Sequence, residues 1–198
     1  MTFLGPILLL LIYLIGTIPV GVIVARTKGI DITAVGSGNV GATNVARSIG
    51  KTAGIITLVG DAFKGILGAL LGTLFFSSEW GSAVGAFFVV AGLCFSLPPA
   101  LKGGKGVATA LGSISYLFPF GALVGVLSFL CAFAASKIVS LASIIAAVAI
   151  PVSALVTGAN DPTVTSLMLI SLLVIYRHHA NIDRLIKGTE PQFTSKKN

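Results

Sequence analysis

The chain has 198 residues, of which 55% are hydrophobic and 10% charged, and its mean hydropathy is +1.02. A soluble domain carries about 25% charged residues, so this composition excludes a soluble globule, a disordered chain and a collagen-like chain and predicts an all-α integral membrane protein. The net charge of +7, in a chain with little water-facing surface, predicts basic cytoplasmic flanks, anionic lipid or an anionic substrate, and no nucleic-acid partner.

The apolar runs predict about seven membrane-spanning helices. Residues 1–25 carry no charge and no basic segment precedes the apolar run, so we expect a retained helix and not a signal peptide. Further apolar runs occupy 52–76, 80–101, 106–136, 138–159 and 163–176.

The uncharged run of 31 residues at 106–136 decides the number of spans. As one helix it would be about 46 Å long, against a hydrocarbon core of about 30 Å. Pro119 supplies a break, so we predict a short fourth span at 106–117 and a fifth at 119–135. With the N-terminus outside and the C-terminus cytoplasmic, every Lys and Arg except the intramembrane Lys64 lies inside, as the positive-inside rule requires. We expect one transmembrane domain over residues 1–198.

The first polar segment, at 35–47, is rich in glycines and hydrogen-bond donors and ends on an arginine. This composition is typical of an anion cradle. A dinucleotide-binding fingerprint also matches, but no strand precedes it and no βαβ unit fits between two spans, so we reject that interpretation. A flexible connector is the remaining alternative. The candidate site residues of this segment are Gly36, Ser37, Gly38, Asn39, Gly41, Thr43, Asn44 and Arg47.

The second polar segment, at 102–106, places two lysines around two glycines at a junction of spans. Lysine supplies a point charge, and glycine permits close approach of the backbone to an anion. It is not a P-loop, because a glycine follows Gly104-Lys105 where Ser or Thr is required. A positive-inside turn would explain one lysine but not three glycines. The candidate site residues are Lys102, Gly103, Gly104, Lys105 and Gly106.

The third polar segment follows the last span and contains His178 and Asn181, which share a face if the helix continues. An imidazole and a carboxamide could orient a substrate hydroxyl or bind a phosphoryl oxygen, whereas an ordinary basic flank is the alternative. The spacing of His178 and Asp183 matches the motif of acyl-CoA-type glycerolipid acyltransferases. We regard that match as accidental, because residues five apart on a helix point about 140° apart.

Metal and disulfide chemistry are not expected. Two adjacent histidines without a cysteine or a convergent carboxylate make a weak metal site. Cys94 and Cys131 lie in apolar runs without motif spacing, which is typical of packing residues.

Asp61 and Lys64 lie inside the predicted second span. Charged side chains within a membrane are costly and usually face a partner or a polar cavity. The spacing of three residues allows the two to pair, so we predict a structural ion pair, with support of a cytoplasmic site as the alternative.

Together the motifs resemble the bacterial PlsY family, the acyl-phosphate-dependent glycerol-3-phosphate acyltransferases. The likeness lies in segments 36–44, 102–112, 139–143 and 176–184 and in Asp61-x-x-Lys64-Gly65, in the same order and over nearly the whole chain. The resemblance implies a seven-span enzyme of the bacterial inner membrane with a cytoplasmic active site. It implies transfer of an acyl group from acyl phosphate to sn-glycerol 3-phosphate, giving 1-acyl-sn-glycerol 3-phosphate (lysophosphatidic acid) and phosphate, the first acylation of phospholipid synthesis.

The resemblance also assigns roles to residues and partners. It implies no cofactor and a functional link to the soluble phosphate acyltransferase that makes acyl phosphate. Lys105 and its glycines match the motif tied to glycerol 3-phosphate binding, and Glu190 matches an acidic residue with a structural role. The residues at the family's essential or catalytic positions are Ser37, Arg47, Lys105, His178 and Asn181.

An acyl phosphate is already activated, so no acyl-enzyme triad is required, and catalysis can rest on positioning and charge stabilisation. We expect the acyl chain to lie along an apolar groove open to the bilayer. The alternatives are a membrane transporter of an organic phosphate, an acyltransferase that uses acyl-CoA or acyl-carrier protein, and a purely structural membrane protein.

Overall fold

The computed structural model of the chain describes residues 4–76, 78–97 and 103–193. These ranges contain helices and no strand, which confirms the all-α prediction for the described part of the chain. In chain order the helices are α1 (Leu4–Thr17), α2 (Val20–Arg26), α3 (Ala42–Ser48), α4 (Lys51–Phe75), α5 (Gly81–Cys94), α6 (Val107–Leu117), α7 (Pro119–Ser136), α8 (Val139–Val156), α9 (Asp161–Tyr176) and α10 (His179–Ile186).

Four helical segments of the described chain are long and apolar enough to cross a membrane: α1 with α2, α4, α7 and α8. The apolar helices α5, α6 and α9 are shorter. Each predicted span therefore corresponds to an apolar helical segment. The number of crossings and the orientation of the termini stay predictions, as does the Pro98-Pro99 end of the third predicted span, which lies outside the described residues together with Lys102.

The break predicted within residues 106–136 is present. α6 ends at Leu117 and α7 begins at Pro119, with Phe118 at φ −150° between them. Proline lacks an amide hydrogen and its ring clashes with the preceding turn, so a helix tends to end just before it and a new one can begin on it. The 11 residues of α6 make a helix of about 16 Å, so the predicted fourth segment is indeed short.

The first predicted span is not one continuous helix, which corrects that expectation. α1 ends at Thr17 and α2 begins after Pro19, because proline cannot continue the hydrogen-bond ladder. The break leaves carbonyl groups without helical partners. The Lys64 ammonium donates to two of them, the oxygens of Gly16 at 3.2 Å and Ile18 at 2.5 Å.

The predicted pairing of Asp61 with Lys64 is confirmed. The Lys64 Nζ lies 3.0 Å from Asp61 Oδ1, and both side chains are 6% exposed. The pair therefore ties α4 to the break between α1 and α2, and each buried charge has an opposite charge beside it. This geometry supports a structural role for both residues.

The helices α4 and α6 pack at very short range through small residues. A Cβ on Gly65 would lie 2.0 Å from the Thr109 carbonyl oxygen, and one on Gly112 would lie 1.9 Å from the Ala62 carbonyl oxygen. The Ser113 hydroxyl donates to the Gly65 carbonyl at 3.1 Å. Such contacts are typical of helix association in membranes, where small residues let backbones meet, and they hold α6 against α4 beside the polar segments.

Candidate active site

The three polar segments meet at one cavity of about 420 Å³, called here the polar cavity. Its walls come from α3 and the segment before it, from α4, the end of α5, the start of α6, α7 and α8, and from α10 with the residues on either side of it. The predicted site or support residues that line it are Ser37, Asn39, Gly41, Thr43, Asn44, Arg47, Asp61, Gly104, Lys105, Gly106, His178, Asn181 and Glu190.

Four predicted site or support residues of the described ranges lie elsewhere, and one of them is Lys64, which binds the break between α1 and α2. Gly36, Gly38 and Gly103 are not part of the described cavity wall, so direct phosphate contacts from them stay predictions without geometric support. A Cβ on Gly103 would lie 2.6 Å from the Cys94 carbonyl oxygen, which shows that this glycine permits the loop to pack against the end of α5.

The loop of the first polar segment is built around the Asn44 side chain, which is 3% exposed. Its Nδ2 lies within hydrogen-bond distance of the carbonyl oxygens of Ile32, Val35 and Asn39, at 3.3, 3.1 and 2.9 Å. Its Oδ1 accepts from the Ser37 amide at 2.9 Å. These polar atoms are occupied by backbone, so we infer that Asn44 shapes the cradle and does not bind phosphate itself.

Gly36 is required by that arrangement. Its φ is +60°, and a Cβ there would lie 2.2 Å from the Asn44 Oδ1 atom. An L-residue with a side chain is disfavoured at this φ and would displace the carboxamide. Gly36 therefore acts on the loop that presents the Ser37 side chain, which is exposed on the cavity wall.

Arg47 reaches the cavity from the last turn of α3, a short helix that the sequence analysis did not anticipate. Its guanidinium lies 5.7 Å from the centre of the Phe193 ring. That ring packs edge-on against Phe133 of α7 at 6.1 Å, and the Phe193 amide donates to the Lys137 carbonyl at 2.8 Å. The chain after α10 thus reaches the end of α7, and its Phe193 ring holds the planar cation by a cation–π contact.

Lys105 stands on the loop that leads into α6, half-buried beside the same cavity. Burial lowers the pKa of its ammonium to about 8, with the Arg184 and Arg177 charges acting in the same direction and Glu190 opposing them. Gly106 ends the loop with φ +79° and is the N-cap of α6. A bound anion would therefore stabilise the charged form of Lys105 and offset the hydration that burial removes from the ammonium.

His178 is almost fully enclosed, at 2% exposure. Its Nδ1 lies 2.7 Å from the Val174 carbonyl oxygen, an acceptor only, so we assign the ring proton to Nδ1 and leave Nε2 with its lone pair. Burial lowers the pKa of the imidazole to about 4, and the charges of Lys105 and Arg177 add to the effect, while the Val174 hydrogen bond and Glu190 oppose it. The ring is neutral at pH 7.

The last span does not continue as a helix through His178, because α9 ends at Tyr176 and His178 is the N-cap residue of α10. The Asn181 amide nevertheless donates to the His178 carbonyl at 2.8 Å, and both side chains line the cavity. Asp183 lies outside the described cavity wall and pairs with Lys187 at 2.9 Å on the surface. This supports the interpretation of the His178 and Asp183 spacing as accidental.

Glu190 organises the side of the cavity formed after α10. Its Oε1 accepts from the Ser140 hydroxyl at 2.6 Å and from Asn181 Nδ2 at 2.5 Å, and its Oε2 accepts from Arg184 Nε at 2.6 Å. Burial would raise the pKa of this carboxyl, but the three hydrogen bonds and the Arg184 charge outweigh it and lower the pKa. The geometry supports the structural role that the resemblance implied.

Replacing Glu190 with glutamine should lower the melting temperature at pH 7 by about 3–6 °C, since charge-assisted hydrogen bonds are lost. The lowered pKa of Glu190 stabilises the fold above the carboxyl's ordinary pKa of about 4.5, and this contribution disappears as pH falls through the lower folded value. The variant should therefore lose less stability than wild type on acidification below about pH 4.5. Thermal unfolding in detergent measures both effects.

Asp183→Asn is the matched control, because that carboxylate forms an exposed pair with Lys187. It should change the melting temperature by no more than about 1 °C. Equal shifts in the two variants would contradict a structural role for Glu190.

An apolar groove of about 590 Å³ adjoins the polar cavity. It runs between α3 and α4 on one side and α7 and α8 on the other, with α6 and α9 beneath. The two spaces share wall residues: Ala42, Thr43, Leu58, Val107, Ala108, Phe129, Val139 and Ser143. A molecule with a phosphate head and an apolar chain therefore fits across both.

Sequence reasoning missed several residues of this site. Arg184, Ser140 and Ser143 line the polar cavity, and Phe193 lines the groove. Arg184, Ser140 and Ser143 lie in segments that carry the family resemblance, but none of the three had an assigned role. Within the described ranges, no group of three or more His, Cys, Asp and Glu side chains could hold a metal ion.

The family model described as glycerol-3-phosphate acyltransferase matches residues 6–188. A glycerol-3-phosphate acyltransferase of Geobacter sulfurreducens is 43% identical over 183 residues, covering 91% of this chain and 93% of the relative. The glycerol-3-phosphate acyltransferase of Syntrophotalea carbinolica is 45% identical over 191 residues, covering 94% of this chain and 96% of the relative.

Two crystal structures are similar over the whole fold. Both are of PlsY (YgiH), an integral membrane glycerol 3-phosphate acyltransferase, at 38% identity and covering 96% of this chain and 95% of that one. The TM-score is 0.89 for the glycerol 3-phosphate form and 0.88 for the lysophosphatidic acid form.

Proposed function

The chain belongs to the glycerol-3-phosphate acyltransferase family, and we propose from this premise that it transfers a fatty acyl group from acyl phosphate to sn-glycerol 3-phosphate. The products are 1-acyl-sn-glycerol 3-phosphate and phosphate. Membership in a family of integral membrane acyltransferases sets aside the transporter and the purely structural protein.

The observation that carries this proposal is the union of a cationic cavity with an apolar groove. Arg47, Lys105 and Arg184 line the cavity, and the groove shares its wall. The two phosphorylated substrates together carry about four negative charges. The arginines, Lys105 and the loop amides can neutralise these charges. An acyl chain extending from one phosphate then lies in the groove, which we propose opens to the bilayer.

The reaction needs no covalent enzyme intermediate. The 1-hydroxyl oxygen of glycerol 3-phosphate attacks the acyl carbonyl carbon, the new ester C–O bond forms, and the bond between that carbon and the phosphate oxygen breaks. Phosphate leaves with the electron pair. Arg47 and Lys105 oppose the charge on the two phosphates, and the Ser37 hydroxyl donates to a phosphate oxygen, so catalysis rests on positioning and electrostatic stabilisation.

The hydroxyl proton goes to the departing phosphate. His178 accepts the hydroxyl hydrogen bond at Nε2 and orients the oxygen, while Asn181, held by Glu190, fixes the neighbouring phosphate oxygen. A pKa of about 4 makes the free imidazole a weak base, whereas the departing phosphate receives the electron pair of the broken C–O bond and is the stronger base. His178 as the base is the alternative, and its substitution distinguishes the two.

The chain acts as one domain in the bacterial inner membrane, with the polar cavity opening to the cytoplasm. Acyl phosphate is then supplied by the soluble phosphate acyltransferase, and the product stays in the bilayer for further acylation. This orientation rests on the lysines and arginines, which the seven-span arrangement places on one side with the exception of the intramembrane Lys64.

A donor comparison tests the proposed reaction. Purified protein receives labelled glycerol 3-phosphate with hexadecanoyl phosphate, hexadecanoyl-CoA or hexadecanoyl-acyl-carrier protein. We expect lysophosphatidate with the acyl phosphate only. Product from either thioester at a comparable rate would contradict the proposed donor.

The groove predicts that a bulky residue at Ala146 selects against long acyl chains. Ala146 lines the groove one turn of α8 beyond Ser143, which lines both spaces. Ala146→Trp should lower kcat/KM for hexadecanoyl phosphate about tenfold and leave butanoyl phosphate within about twofold, because a four-carbon chain ends within about one helical turn, about 5 Å. Steady-state kinetics with both donors measure this.

Val148→Trp is the matched control. Val148 lies on the same helix, is 50% exposed and faces away from the groove. It should change neither value by more than about twofold. Equal losses for short and long donors in Ala146→Trp would contradict the placement of the acyl chain.

A further inference from the structure

Arg177 connects the end of α9 to the loop that carries Lys105. Its Nε donates to the Gly104 carbonyl at 3.1 Å, and its Nη2 donates to the Gly103 carbonyl at 3.2 Å. One guanidinium thus grips two successive peptide groups with the fork geometry that only arginine offers. The Phe95 ring lies 5.9 Å from the same guanidinium and holds it by a cation–π contact.

The grip determines how the loop presents its peptide groups. The Gly104 carbonyl and the Lys105 amide belong to one planar trans peptide, so the Lys105 N–H points away from Arg177. The Gly104 amide donates to the Leu93 carbonyl at 3.0 Å, which anchors the loop to α5. The contacts with Arg177 and with α5 together fix the orientation of the loop amides and of the Lys105 Cα–Cβ bond.

Arg177 does not line the described cavity, whereas Gly104, Lys105 and Gly106 do. Its position next to His178 places the grip and the buried imidazole on one turn of chain between α9 and α10. An ordinary basic flank at the membrane surface would direct its guanidinium to solvent or lipid headgroups, and this one is half-buried against two carbonyl groups instead.

We propose that Arg177 is a positioning residue that fixes the 103–106 loop so that Lys105 can bind glycerol 3-phosphate. The proposal rests on the proposed function and on the glycerol 3-phosphate-binding role that the family resemblance implies for Lys105. It makes the second and third polar segments one unit, because a shift of the turn after α9 would move both His178 and the Lys105 loop.

The test compares Arg177→Gln, Arg177→Lys and the control Arg26→Gln. Arg26 is an exposed arginine at the end of α2, away from the cavity. Lysine keeps the charge but cannot donate in parallel to two carbonyl groups. Two measurements are made on each purified protein: binding of labelled glycerol 3-phosphate without donor, and the KM for each substrate during turnover. A melting curve checks the fold.

We expect Arg177→Gln to weaken glycerol 3-phosphate binding and raise its KM about 10- to 30-fold, with the KM for acyl phosphate within about threefold. Arg177→Lys should recover about a third to a half of the binding, and Arg26→Gln should match wild type. Unchanged binding in Arg177→Gln, equal losses for both substrates, or full recovery of binding with lysine would overturn the proposal.

The binding measurement separates this inference from the proposed donor. Wild type that binds glycerol 3-phosphate but makes no lysophosphatidate from acyl phosphate would refute the donor. The binding of the three variants would still confirm or overturn the role of Arg177.

Discussion

Replacing Arg47 with glutamine is expected to lower kcat/KM at least about 10³-fold, which is about 4 kcal/mol of transition-state stabilisation. The loss follows because Arg47 is the planar cation on the α3 wall of the polar cavity, and a buried oxyanion donor alone is worth about 10²–10³-fold. Arg47→Lys keeps a point charge but loses the fork and most of the contact with the Phe193 ring, so it should recover about tenfold. Initial rates of lysophosphatidate formation measure both.

Lys28→Gln provides the control, since that lysine is exposed and lies outside the cavity. It should retain more than about half of the activity. A glutamine at position 47 that reduces activity less than about tenfold, with the fold intact, would contradict the placement of a phosphate beside Arg47.

Replacing His178 with asparagine should lower kcat/KM about 10²- to 10³-fold, mostly through a higher KM for glycerol 3-phosphate, and should leave measurable turnover. The asparagine Nδ2 can still donate to the Val174 carbonyl, as the His178 Nδ1 does at 2.7 Å, so the substitution removes chiefly Nε2. If the departing phosphate takes the proton, the loss of Nε2 disturbs the position of the hydroxyl more than the proton transfer.

His179→Asn is the matched control, because His179 is an exposed neighbour that contacts Tyr176 and does not line the cavity. It should stay within about twofold of wild type. A fall of kcat in His178→Asn with unchanged substrate affinity would instead assign the base to His178.

The sequence predicted the helices correctly where the length of an apolar run and the position of a helix-breaking residue pointed to the same boundary. An uncharged run of 31 residues is too long for one span, and a break at Pro119 divides it into two helices that are each short enough to be one span. Pro19 also interrupts a helix, but the apolar run around it has the ordinary length of one span. The length of that run therefore did not predict the break between α1 and α2. The polar partner that makes this break tolerable is Lys64, 46 residues away from Ile18 in the chain, and no local pattern reports such a contact.

Part of the candidate site could also be predicted from local sequence. Glycines, donors and cations cluster in three segments, and their residue types indicate an anion site wherever they meet. What each residue does there depends on its partners. Asn44 looked like a ligand, yet its carboxamide is occupied by the backbone of its own loop. Arg177 looked like a flank, and Phe193 lay beyond every motif, although both hold site elements in place.

The cavity and the groove together explain why a reaction between small polar groups is built into a hydrophobic bundle. The phosphates need cations and amides, whereas the acyl chain needs an apolar wall continuous with the bilayer. The loop before α6 connects the two spaces. Lys105 lines the polar cavity, and Val107, two residues further along the chain, lines both the cavity and the groove.

The most direct test is a double-label reaction with purified protein. Acyl phosphate carries one label in the acyl group and another in the phosphate, and product, released phosphate and protein-bound acyl groups are counted with and without glycerol 3-phosphate. We predict one lysophosphatidate for each phosphate released, neither without glycerol 3-phosphate, and no acyl group on the protein. Phosphate release without the acceptor, or label retained on the protein, would contradict direct transfer between two substrates held in one cavity.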